Sequence, residues 1–148
     1  YSSSAASDVY KRQFKYSTLM PTVMETLNFF YERKILMGIC TNKRQFVTEK
    51  LIQEMNLSKF FTTIVGARDN IPLKPKPNML ILTMEGFKTK NKKFYMVGDT
   101  SNDIEAANAA NIKSIAVAGG YTDKDVNNLG ATHTVKNMKD IIKLLGPY

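Results

Sequence analysis

Short apolar runs alternate with amphipathic helical stretches along most of this chain, and that alternation narrows its possible folds more than any other feature. Pro21 suits the first turn of a helix running to about Arg33, with Val23, Leu27 and Phe30 at helical spacing. Lys34 to Cys40 reads as a strand, broken by Thr41-Asn42. Phe46, Leu51, Ile52 and Met55 then mark an amphipathic helix ending near Asn56. The pattern continues with a strand at Phe61–Gly66, a helix from Pro77 to Gly86, a strand at Phe94–Val97, an Ala-rich helix at Asn102–Ala110 and a strand at Ser114–Ala118 that ends in Gly119-Gly120. Beyond residue 120 the signal weakens to a short helix (Asp123–Leu129), a short strand (Thr132–Val135) and a terminal helix (Met138–Leu145). Strands and helices alternating at this spacing predict an α/β fold, a Rossmann-like parallel sheet with helices on both faces and right-handed crossovers. Binding residues are expected just beyond the carboxyl ends of strands, where Thr41 and Asp99 fall.

Composition removes several classes of function. At 148 residues and 43% hydrophobic content, the chain fits one globular domain with a substantial core. Its apolar runs fall far short of the roughly 20 residues that cross a bilayer, so no membrane partner is expected and a cytoplasmic location is the default. The single Cys40 lies inside an apolar run and reads as a small core residue. The formal charge of +8 is mostly Lys scattered along the chain, dense only at Lys88–Lys93. That distribution favours attraction of small anionic substrates over nucleic-acid binding.

Three segments carry the chemistry: Gly38-Ile-Cys-Thr-Asn42, Lys74-Pro-Lys-Pro77 and Val97-Gly-Asp-Thr-Ser-Asn-Asp103. Asp99 follows a strand, and Asp103 stands four positions on near a helix start. Such a turn brings two carboxylates together as a hard-cation site of the kind Mg²⁺ prefers, and Gly98 lets the backbone approach. The plainer reading is a capping motif, since Thr100 to Asp103 satisfies the Ser/Thr-x-x-Asp/Glu pattern. The Thr41 hydroxyl and the Asn42 backbone N–H can hold phosphate oxygens, although a Thr after a strand is more often an ordinary N-cap. Lys74 is kept extended by Pro75 and aimed as a point charge for a phosphoryl group and its carboxylate neighbours, with Lys76 as a competitor.

In order, spacing and wording these segments resemble motifs two, three and four of the haloacid dehalogenase-like hydrolases, most closely the phosphoglycolate phosphatase-like branch, over about Pro21 to Leu145. The resemblance implies a Mg²⁺-dependent phosphomonoester hydrolase of small phosphorylated metabolites. In it Thr41, Asn42 and Lys74 grip the phosphoryl group, Asp99 binds Mg²⁺ and Asp103 supports it. Motif one of that family is an Asp-x-Asp after a central first strand, whose two carboxylates act as nucleophile and general acid. No Asp-x-Asp precedes Thr41 here, and Asp123-Lys-Asp125, the only instance, lies downstream and reads as a helix start.

The resemblance therefore implies a partial core domain over residues 14–148, lacking the central strand and most of the substrate-selecting cap, with residues 14–20 a vestige of that cap. Residues 1–13, small and polar without periodicity, read as an adapter-like segment foreign to the fold. A chain so composed is expected to be nearly inert alone. Phosphoglycolate, sugar phosphates, nucleotides and pyrophosphate all remain open as substrates, and so does oligomeric state. The alternative is a nucleophile-free pseudo-enzyme of the same fold that senses phosphate or docks a partner. A receiver-type signalling domain is disfavoured, because its carboxylates come first.

Overall fold

Pairing partners, rather than apolar runs, set where the strands begin and end. The computed structural model describes residues 22–90, 93–118 and 128–146. Helix α1 (residues 22–32) closes with Lys34 in a left-handed conformation, φ 58°, its N–H bonded to the Tyr31 carbonyl and that of Ile35 to the Phe30 carbonyl. Residues 35–37 are therefore the way out of a helix. Strand β1 is Gly38–Arg44, shifted from the expected 34–40, because its partner β2 (Thr63–Ala67) begins opposite Gly38. Thr41-Asn42 does not end the strand. It falls in a register break between Cys40, opposite Val65, and Arg44, opposite Ala67. Across that break the Gln45 side chain stands in for backbone, accepting from the Gly66 N–H at 2.5 Å and donating to the Ile64 carbonyl at 3.0 Å.

The remaining elements lie within one or two residues of expectation: α2 (Gln45–Glu54), α3 (Asn78–Gly86), β3 (Tyr95–Gly98), α4 (Ser101–Ala109), β4 (Lys113–Val117), β5 (His133–Val135) and α5 (Asp140–Leu145). A single 3₁₀ turn at Ser58–Phe60 leads into β2. The first turn at Pro21, the Gly119-Gly120-Tyr121 turn and the helix expected from Asp123, with Asp123-Lys-Asp125 in it, lie at least partly outside the described residues, as do 1–13 and 14–20.

Among the described residues all pairing is parallel, but in two sheets, β1-β2 and β3-β4-β5. Period-two alternation sends Ile39 of β1 and Tyr95 and Val97 of β3 to one face, where they and Met37, just before β1, pack with Leu27 and Phe30 of α1, Ile52 of α2 and Ile141 of α5. Cys40 and Met96 point to the other face and meet Leu80 of α3 and Ala106 and Ala107 of α4. Helices thus cover both faces, and α1 packs across both sheets at once, Leu27 in the cluster over β1 and β2 and Phe30 in the cluster over β3 to β5. Among the described residues no ladder joins β1 to β3.

Candidate active site

The carboxyl ends of β1 and β3 open onto one cleft of about 410 Å³, lined by Thr41, Asn42, Lys74, Asp99 and Asp103. Lys74 is its centre. The side chain is buried, and its ammonium donates to the Cys40 carbonyl at 2.8 Å and to Asp103 Oδ1 at 2.5 Å. Two of three donors are thereby used, leaving one for a ligand. The backbone of Lys74 is held just as firmly. Its N–H donates to Asn42 Oδ1, and its carbonyl accepts from Asn42 Nδ2, both at 3.0 Å. The Lys74–Pro75 peptide is cis. Lys76, the competitor, is exposed and outside the cleft lining.

Asp103 is occupied by protein groups on both oxygens. Oδ1 takes the lysine, while Oδ2 accepts from the Asp99 N–H at 3.2 Å, the Thr100 N–H at 3.3 Å and the Thr100 hydroxyl at 2.9 Å. The Thr100 hydroxyl in turn accepts from the Asp103 N–H at 3.4 Å, completing a capping box at the start of α4. The plainer reading of this segment is thus realised in full, and it serves the site, since the capping carboxylate is also the anchor of Lys74. Gly98 makes this possible: a Cβ there would stand 2.4 Å from Asp103 Oδ2.

Asp99 is half-buried, and its carboxylate has no hydrogen-bond partner among the described residues. The Thr41 oxygen accepts from the Lys43 N–H at 3.2 Å, and the hydroxyl proton has no acceptor among the described residues. Thr41 is not a helix cap, because α2 starts from Arg44 without a side-chain cap. The Asn42 side chain fixes Lys74, a contact spanning 32 residues that no local pattern announces. Cys40 is partly buried at the same strand end, and desolvation pushes its thiol pKa above the ordinary 9.0, against smaller lowering effects from a Thr83 hydrogen bond and the Lys74 charge.

A buried ammonium, a hydroxyl proton and an uncommitted carboxylate facing one cleft match the three segments found in the sequence. The family model for haloacid dehalogenase-like hydrolases matches residues 3–117. This chain belongs to that family. It is 29% identical over 129 residues to the phosphoglycolate phosphatase of Escherichia coli (strain K12), covering 86% of this chain and 51% of that protein. Pyrophosphatase PpaX of Oceanobacillus iheyensis is 32% identical over 132 residues, covering 87% of this chain and 61% of that protein. The fold is likewise similar to the crystal structure of a predicted phosphoglycolate phosphatase from Haemophilus somnus 129PT, with a TM-score of 0.78 at 23% identity, over 84% of this chain and 56% of that one. The chain thus spans about half the length of the curated phosphoglycolate phosphatases it matches. Among the described residues no helix is long and apolar enough to cross a membrane.

Proposed function

We propose that this chain forms the phosphate- and Mg²⁺-binding part of a phosphomonoester hydrolase acting on small phosphorylated metabolites, phosphoglycolate foremost. The observation that carries the reading is the convergence of Thr41, Lys74 and Asp99 on one cleft. Thr41 would donate its hydroxyl proton to one phosphoryl oxygen and Lys74 its remaining N–H to another. Asn42 and Asp103 act through Lys74, holding its backbone and its ammonium so that the charge does not have to reorganise when the phosphoryl group arrives.

The donor chemistry at Asp99 fits Mg²⁺, a hard cation that takes one or two carboxylates and fills its shell with water and substrate phosphate oxygens. Asp99 would hold it directly. Asp103, committed to Lys74 and the helix cap, would act by fixing the Asp99 loop. When bound, the cation neutralises phosphoryl charge and orients the group for in-line displacement.

No Asp-x-Asp precedes Thr41, and none of the residues assigned here serves as a nucleophile. That observation favours the second reading for the chain by itself, a module that binds phosphate without turning it over. Phosphate release from phosphoglycolate, pyrophosphate, sugar phosphates and p-nitrophenyl phosphate, measured on the 148-residue chain with Mg²⁺, separates the two. The expected result is negligible turnover together with Mg²⁺-dependent binding of phosphate. Robust turnover that Asp99→Ala abolishes would mean the nucleophile lies within these residues. Turnover untouched by Asp99→Ala would remove the site from the account.

A further inference from the structure

Strand β1 carries its cleft-facing residues in an excursion from the ladder. Between Cys40, opposite Val65, and Arg44, opposite Ala67, residues 41–43 stand against Gly66 alone. Thr41 and Asn42, which line the cleft, both lie in it. Within the excursion the Thr41 oxygen accepts from the Lys43 N–H at 3.2 Å, and Asn42 reaches out to the N–H and the carbonyl of Lys74. What closes its far end stands outside the cleft lining, in the first residue of α2.

Gln45 is wholly committed to that junction. Its Nε2 carries two protons, and donates to the Ile64 carbonyl at 3.0 Å and to Glu49 Oε1 at 2.6 Å. Its Oε1 accepts from the Gly66 N–H at 2.5 Å and from Nε and Nη2 of Arg68, each at 3.3 Å. Toward β2 the side-chain amide thus behaves like a peptide group of a parallel neighbour, giving to Ile64 and taking from Gly66. Gly66 is the other half of this clasp. A Cβ there would stand 2.7 Å from both the Gln45 Cα and the Lys43 carbonyl oxygen, so only glycine lets the end of the excursion cross β2 so closely. Without the amide, that end is left to the Arg44–Ala67 pairing, and the exposed Arg44 side chain meets Asp69 only at 3.7 Å. No side-chain cap bond starts α2, so the clasp is not a helix cap.

We infer that Gln45 is a positioning residue for the phosphate grip, a role that rests on the reading of this cleft as a phosphate site. By holding the end of residues 41–43 against β2, it keeps the Thr41 hydroxyl aimed into the cleft and the Asn42 side chain on the Lys74 backbone. Its action on Lys74 runs through Asn42, and that coupling stands on the hydrogen bonds alone.

Gln45→Met keeps the length of the side chain and removes every one of these bonds. In the 148-residue chain, hydrogen exchange at the Lys74 amide, to which Gln45 has no hydrogen bond, is expected to quicken about tenfold relative to the amides of residues 38–40. Inorganic phosphate in the presence of Mg²⁺ is expected to bind about tenfold more weakly. Gln45→Glu, which keeps the acceptor and loses the donor, should show the same pattern at smaller size, and keeps the test open if the Met variant does not fold. Glu49→Ala, which removes only the outermost bond, should change neither readout. Lys74 exchange unchanged in both Gln45 variants, or quickened only in step with residues 38–40, would overturn the inference, the second outcome showing a purely structural role. So would phosphate binding equal in the parent and both Gln45 variants. Exchange is read without ligand, so a parent chain that binds no phosphate would overturn the proposed function while the Lys74 amide still decides the coupling.

Discussion

Lys74 is the residue on which the site turns, because one side chain joins β1, at the Cys40 carbonyl, to the start of α4, at Asp103. Its partner Asp103 is as buried as itself, with side chains 7% and 10% exposed. Removing one member of such a pair strands the other charge away from water, at a cost of about 3–5 kcal/mol. Lys74→Ala and Asp103→Ala are each expected to lower the denaturant midpoint by that order, and the double variant by clearly less than the sum. Additive losses would mean that the pair is not coupled. A second residue-scale prediction concerns Cys40. Burial raises its folded pKa, so the unfolded chain ionises first; its contribution to stability is whole below pH 9.0 and is lost as pH rises through the folded value. The stability gap between the parent and Cys40→Ala, measured by urea unfolding, should be constant below pH 9.0 and shift against the parent above it. Thr41, Lys74, Asp99 and Asp103 were legible from their motifs. The side chain of Asn42 was not, because its partner lies 32 residues away and only the fold brings them together.

At the scale of elements, the loop between β3 and α4 does two jobs with the same atoms. Thr100→Ala removes the cap hydroxyl from the Asp103 N–H and from Oδ2, and is expected to cost about 1 kcal/mol of stability. Gly98→Ala is the sharper test, since its new Cβ would displace the Asp103 carboxylate itself. In a ¹⁵N spectrum it should shift the amides of Asp99, Thr100 and Lys74 together. A spectrum changed only at residues 97–99 would show that Asp103 does not depend on the close approach. Helices and their order were readable because periodicity is local. The limits of β1 were not: the apolar run 34–40 straddles a helix exit and a strand, and the true strand extends past Thr41 only because β2 and the Gln45 side chain receive it.

For the whole molecule, the β1 and β3 edges belong, among the described residues, to two sheets sharing helix layers. A core divided in this way should open unevenly. Amides of β4, paired on both sides by β3 and β5, are predicted to exchange more slowly than those at the edges of β1 and β3 that no described strand pairs. Uniform protection across all five strands would contradict that. The sequence pattern disclosed the sheet's parallel character and both helix layers, whereas the division into two sheets could be anticipated only from the resemblance.

The central claim is that Thr41, Lys74 and Asp99 form a single Mg²⁺- and phosphate-binding site. It is tested most directly by titrating the chain with inorganic phosphate, with and without Mg²⁺, and following the amides of residues 41–42, 74 and 98–100. The account predicts saturable shifts at all three segments with one common affinity, dependent on Mg²⁺ and lost alike in Thr41→Ala and Asp99→Asn. Shifts confined to one segment, or phosphate binding that survives both substitutions and the removal of Mg²⁺, would contradict it.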